Sequence, residues 1–422
     1  MNFMTYFINI DFLNSIYREL WWNSSAELNS NLTSNDYWNK IQKEKLFNSQ
    51  IDIFLKHINQ FPEDLNRRLE WKEDFYKLID STIYKNEMFS LGTLDKTMKE
   101  EFIISTKLFI KRCRSLDSSL SFEDIGQALR NVWIVNIFQK ILNLPMKLTD
   151  AISGYSLLYP YTDNFLDDTT VDLTTKKTFN LNFSKRLKGE PVISRNPNED
   201  IIFDLVSHIE SIFNRESYPL VYDSLLLIHN AQEKSLLQQD AITLPYERDI
   251  LGISIEKGGT SVLADAYLID GSLTKEEEIF SYGYGFFLQL CDDLQDIKKD
   301  LENNHMTIMS QLAGKYPLDS ITNKLINLVY YVVDEADCFK YSKSNELKKL
   351  IKDNCIQMIL FAIVDNREYY SKEYINAIEK HLPFRLSYIK NIKSKLSKKF
   401  KTLNSSYYGL SLEEVFLYLL ED

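Results

Sequence analysis

Glycine and proline are scarce in this sequence, at 12 and nine among 422 residues, less than half their usual combined share of roughly 12%. Tight hairpins depend on those two residues, so a fold of many short strands is excluded and long helices with few sharp turns are expected. Cysteine is equally sparse. The four present (Cys113, Cys291, Cys338, Cys355) lie far apart, with no CxxC pair and no histidine at zinc-ligand spacing, which argues against a zinc site and suits small buried hydrophobes in a reducing compartment. Positive charge is also in short supply: 49 basic residues face 60 acidic ones, for a net charge of −11. That is the opposite of a nucleic-acid binder's footprint. No apolar run approaches the roughly 20 residues that cross a bilayer; the longest in the last quarter of the chain, Ile359 to Val364 with its neighbours, is far too short. The stretch Met1 to Trp22 has no basic start and carries Asp11 in its apolar part, so it does not read as a secretory signal. The expectation is a cytoplasmic protein with no transmembrane segment and no nucleic-acid partner.

What the sequence does have is apolar mass, 44% of its residues, enough for a large core. Helical spacing is regular from about Glu101, as in Phe102, Ile103, Leu108 and Phe109, and again in Ile125, Leu129, Val132, Trp133 and Ile137. A polar segment from Thr169 to about Asp200 interrupts the pattern, which resumes at Ile201 and runs to about Phe400. We read residues 1–100 as an N-terminal helical extension and 101–422 as one large helical domain.

Two acidic clusters stand out. In the first, an apolar run from Tyr155 ends in Asp163, Asp167 and Asp168. Asp163 and Asp167 are one helical turn apart on one face, where like charges repel. Solvated surface acids would explain this spacing, but so would a cation, because carboxylates beside Leu157, Leu158, Phe165 and Leu166 are costly unless something positive holds them. The second cluster follows the uncharged stretch Phe286 to Cys291: Asp292, Asp296 and Asp300 fall at i, i+4 and i+8, with Asp293 alongside. Such a stripe suits a hard cation like Mg²⁺, which prefers oxygen ligands and keeps waters for a phosphate to replace. Lys298 and Lys299 fit the alternative, a helix that simply surfaces at Asp292.

Between the clusters lies a segment with Arg248, Gly252 and Lys257-Gly-Gly-Thr260. A glycine pair inside a helical pattern costs about 2 kcal/mol relative to alanines. That cost fits backbone exposed to a ligand, with Lys257 as a point charge for phosphate; a loop between helices fits as well.

With both clusters in view, the sequence resembles the class I isoprenoid synthases, and within them the non-plant, large-substrate terpene synthases, with similarity to trans-prenyltransferases. Residues 163–167 look like the first aspartate-rich motif with Asn164 in place of an aspartate, and residues 287–296 look like the second. The likeness covers roughly residues 120–370. It implies an all-α bundle around a deep central cavity, and Mg²⁺ (three ions with bound diphosphate) held by Asp163, Asp167, Asp292, Asp296 and Asp300. It further implies Arg248 and Lys257 as catalytic contacts to the diphosphate, and Gly252, Gly258 and Gly259 at a helix break near the substrate. Phe165 and Phe286 become candidate walls of the cavity, together with Trp133, Tyr155, Tyr161 and Phe287. The implied activity is a terpene synthase that ionises an allylic prenyl diphosphate, and the family's habit of pairing bundles allows a homodimer. The chain departs from elongating prenyltransferases in lacking the arginine pair after the first motif and any Gly-Lys-x-x-Arg. Two other readings stay open: a chain-elongating or head-to-head prenyltransferase, and a non-catalytic helical scaffold.

Overall fold

The computed structural model describes residues 7–79, 81, 95–167, 170–239 and 247–420. Among them the chain is all-α, apart from one two-stranded antiparallel pairing of Ser406–Tyr407 with Leu410–Ser411. In chain order the helices are α1 (Ile10–Asn23), α2 (Tyr37–Asn59), α3 (Leu65–Ile79), α4 (Lys96–Leu116), α5 (Phe122–Ile141), α6 (Asp150–Asp167), α7 (Leu173–Leu187), α8 (Pro197–Ile212) and α9 (Pro219–Ser235). They continue with α10 (Ile250–Asp270), α11 (Lys275–Gln295), α12 (Ile297–Glu302), α13 (Asp319–Asp334), α14 (Ser344–Asp365), α15 (Lys372–Glu379), α16 (Leu386–Phe400) and α17 (Leu412–Leu420). None of the described helices is long and apolar enough to cross a membrane. All four cysteines are free and buried.

The central element is an antiparallel pair, α10 and α11, buried on nearly all sides. Asp249 caps the start of α10 by accepting from the Gly252 N–H at 2.9 Å. Gly271 closes the helix with φ 76°, a left-handed value that glycine adopts without a Cβ penalty. Thr274 and Glu277 then form a reciprocal capping box that starts α11, with Glu276, Glu277 and Glu278 on the favourable positive end of its dipole. The pair packs backbone against backbone. A Cβ on Gly258 would strike the carbonyl oxygen of Gly285 and Gln289, one on Gly285 would strike the Gly258 carbonyl, and one on Gly259 would enter the ring of Tyr282. Helix α10 therefore runs unbroken through Gly258 and Gly259, and the expected helix break is absent. Their missing side chains serve close approach of two helices. Gly252 is similar, its open side filled by the Arg18–Asp249 ion pair.

Around this pair stand α5, α6, α9, α13 and α14, with α8 packed on the far side against α6, all sharing one continuous apolar core. Helix α1 belongs to that core as well. Leu13, Tyr17 and Trp21 are buried in it, and the rings of Tyr17 and Trp21 meet Phe286 edge-on at 6.3 and 6.2 Å. A second, smaller core joins distant parts of the chain: Leu55 and Ile58 from α2, Phe61 from the connection after it, and Trp71 and Phe75 from α3 pack with Leu403, Tyr407, Val415 and Leu419. A boundary at residue 100 thus does not follow the packing. The first helix is part of the main bundle, while the next two pair with the segment around α17.

Candidate active site

Both acidic clusters sit at the C-terminal ends of helices. Asp167 ends α6 with Asp163 one turn before it, and Asp292 and Asp293 lie in the last turn of α11, with no basic residue in the last turn of either helix. The carbonyl end of a helix is its negative pole, so each carboxylate there costs about 0.3–1 kcal/mol. Helix stability does not account for this placement. Asp296 is the junction between α11 and α12, but the hydrogen-bond ladder carries through it. Its N–H donates to the Asp292 carbonyl at 2.9 Å, and the Asp300 N–H donates to its own carbonyl at 2.8 Å. The stripe expected from the sequence is therefore kept across the junction. The side chain of Asp167, and all of Asp168, lie outside the described residues.

Lys257 stands on α10, which packs against both α6 and α11. It is half-buried on α10, and burial alone would lower its pKa. The charges of Asp163 on α6, then Tyr159, Asp292 and Asp293, outweigh that and raise it. One ammonium thus sits in the joint field of carboxylates that are far apart in the chain. Asp163 also accepts from Gln232 Nε2 on α9 at 3.3 Å. Asp292 is exposed to solvent, yet its pKa is raised, first by burial and then by Asp296, against the lowering pull of Lys257, Arg130 and Lys299. Asp293 is fully enclosed, accepts from Gln289 Nε2 at 2.8 Å and Ser254 Oγ at 3.2 Å, and is pushed up to about 7 by burial. Asp300 accepts from Thr307 Oγ1 at 3.4 Å and is also pushed up to about 7, by burial and then by Asp296 and Asp292.

Tyr155 and Tyr159, one turn apart on α6, line a narrow cavity with Phe183, Leu225, His229 and Gln232. Tyr159 is pushed up to about 12 by burial and then by Asp163. The cavity holds about 30 Å³, an order of magnitude below the roughly 300 Å³ at which ligand pockets begin. A prenyl chain would fit only if the α6, α7 and α9 walls moved apart. Below it, Asn131 Nδ2 donates to the fully buried Asp265 Oδ1 at 2.7 Å, and burial raises the pKa of Asp265 far above the usual carboxyl range.

The other residues singled out by sequence fare differently. Arg248 lies just before α10, at the end of the bundle that carries the acids, and donates to the Leu237 carbonyl. Phe286 is sealed under α1 and does not reach the cavity, because α1, unassigned in the sequence, covers it. Trp133 faces outward, with Nε1 on Thr106 at 3.1 Å, and Tyr161 donates to Asp117 at 2.9 Å. Phe287 packs edge-on against Tyr284 in the core. Phe165 meets Phe179 at 4.9 Å, one ring removed from the cavity wall at Phe183. Tyr155 does line the cavity. Sequence alone does not single out Tyr159 or Gln232, and it offers Arg130 either as a further diphosphate contact or as an ordinary surface or salt-bridging arginine. Tyr159 lies one turn beyond Tyr155 and one before Asp163, so helical spacing is the signal available for it.

Whether these residues suit Mg²⁺ turns on the chemistry of the donors. They are hard carboxylate oxygens, and two of them, Asp292 and Asp300, have their pKa raised first by burial and then by acidic neighbours. Among the described residues no three His, Cys, Asp or Glu side chains gather closely enough to chelate one ion alone. Mg²⁺ takes one or two carboxylates per ion when phosphate and water complete its shell, so the donors are of the chemical type it accepts. No protein-family model matches the chain, and no curated protein matches it.

Proposed function

We propose that this protein is a magnesium-dependent class I terpene synthase that ionises an allylic prenyl diphosphate and releases diphosphate, on the helical bundle typical of that family. The observation that carries the reading is Lys257, whose charge is shared by Asp163 on α6 and by Asp292 and Asp293 on α11. Without ligand, that ammonium offsets two acidic helix ends whose dipoles are negative as well. Mg²⁺, when bound, supplies the charge that stabilises the departing diphosphate.

The residues of the chain would divide the task. Asp163 on one helix, and Asp292, Asp296 and Asp300 on the other, would hold the ions, with Asp167 a turn beyond Asp163. Lys257 lies where it would take a diphosphate oxygen, and Arg130, which acts on Asp292, faces the same charge. Arg248 occupies the same end of the bundle. Tyr155 and Tyr159 turn aromatic rings toward the adjacent cavity, where their π faces would stabilise an allylic cation and the apolar wall would keep water from it.

The test is mass-spectrometric product analysis with prenyl diphosphates of increasing length, with and without Mg²⁺, and with isopentenyl diphosphate added in parallel. We expect Mg²⁺-dependent release of diphosphate with no requirement for isopentenyl diphosphate. Asp292→Ala should lower turnover by at least about a hundredfold with the far-UV helical signal intact. Full activity in that variant would remove the metal role given to the α11 acids.

A further inference from the structure

The chain is acidic overall, yet one face of it is basic and greasy. On α2, Trp38, Leu46 and Ile53 are 72%, 45% and 46% exposed. Spaced eight and then seven residues apart, they form one stripe along the helix. Lys45 and Lys56 flank that stripe and are exposed. The two acids of α2 are already engaged. Glu44 is buried against Arg385 at 2.6 Å, and Asp52 pairs with Lys399 at 2.6 Å.

Lys399 also donates to the Asn48 carbonyl at 3.4 Å, which lays the last turns of α16 along the outer edge of α2. Helix α16 has no acidic residue, and its Lys390, Lys395 and Lys398 are exposed. Phe400, at 39% exposure, ends the helix beside them. Lysines surrounding a row of exposed Trp, Leu, Ile and Phe side chains are the pattern of a helix lying in a membrane interface, with apolar groups at the acyl boundary and ammonium groups at the headgroups. A nucleic acid would reward the lysines but has no use for Leu46 and Ile53.

We propose that the α2–α16 face docks the protein on an anionic lipid bilayer. The inference does not depend on the catalytic reading, since it rests on different helices and requires no substrate.

The test uses the full chain and vesicles of phosphatidylcholine alone or mixed with phosphatidylserine. Co-sedimentation with the mixed vesicles at low salt, weakened by added salt and absent with phosphatidylcholine alone, is expected. At about fivefold per lysine, Lys395→Gln with Lys398→Gln should lower partitioning about twenty-five-fold. Trp38→Ala with Ile53→Ala should lower it at least about tenfold. All four side chains are exposed, and their internal contacts are limited to surface rings such as Tyr388 under Lys395 and Tyr37 beside Trp38, so melting temperature should fall by no more than a few degrees. As an independent reading, lipids brominated in the acyl chain should quench wild-type fluorescence more than that of Trp38→Phe. A chain that stays in the supernatant with anionic vesicles overturns the proposal. So does sedimentation unaffected by either double variant. Loss of both vesicle and RNA-oligonucleotide binding in the lysine variant alone, with Trp38→Ala and Ile53→Ala neutral, would mark a general polyanion surface and overturn it equally.

Discussion

Burial holds the carboxyl of Asp293 at about 7, against 3.8 for the group in water. Between those values the folded protein keeps a proton that the unfolded chain has lost, so stability falls as pH rises from about 4 to 7, and above that the whole cost is present. Asp293→Asn should therefore stabilise the protein at pH 8 and leave it unchanged at pH 3.5, as read by urea unfolding at the two values. A tenfold difference in proton affinity between the folded and unfolded chain is worth about 1.4 kcal/mol, which sets an upper bound of about 4 kcal/mol on the gain. The substitution keeps an oxygen for Gln289 and gives Ser254 a donor to accept from, so hydrogen bonding is conserved. In the sequence, Asp293 reads as a bystander next to the Asp292, Asp296 and Asp300 stripe. Helical spacing shows which residues share a face, but it does not show which face a neighbouring helix encloses, and here Ser254 on α10 encloses Asp293.

At the scale of elements, the glycines of α10 and α11 carry the clearest lesson. Gly258 and Gly259 suggest a break, because glycine is a poor helix former. The helix continues because close contact with α11 outweighs propensity, and the reciprocal glycine on α11, Gly285, is part of the same contact. The contact is not legible in the sequence, since the glycines on α10 are separated from their partners by a turn of unknown geometry. Gly258→Ala should gain about 1 kcal/mol of helix propensity yet destabilise the protein by about 1–3 kcal/mol, the usual cost of overpacking. Chemical denaturation would show it. A neutral or stabilising result would mean that the two helices can part at that point without cost. The acid-bearing elements are more fully legible, because a run of apolar residues ending in aspartates leaves little choice of secondary structure. Their meeting around Lys257 depends on long-range contacts that spacing does not contain.

For the molecule as a whole, the all-α class follows from composition alone, since few turn residues leave few other options. The domain boundary does not follow, because residues 1–100 show no chemistry by which to group them, and hydrophobic partners are chosen by shape. Trp21 makes the point. It is 3% exposed and closes the core over Phe286, so Trp21→Ala should cost about 3–5 kcal/mol and lower the thermal midpoint clearly in calorimetry. A surface extension would lose almost nothing on the same change.

The smaller core has a consequence for synthesis. Trp71 and Phe75 emerge from the ribosome early, while Val415 and Leu419, which cover them, are translated hundreds of codons later. Throughout that interval α2 and α3 present bare aromatic surface while the large bundle is still taking shape, a condition that favours aggregation or chaperone capture. A message truncated shortly before codon 410 would yield a chain with its main bundle complete and that aromatic surface permanently uncovered, a ready mark for quality control.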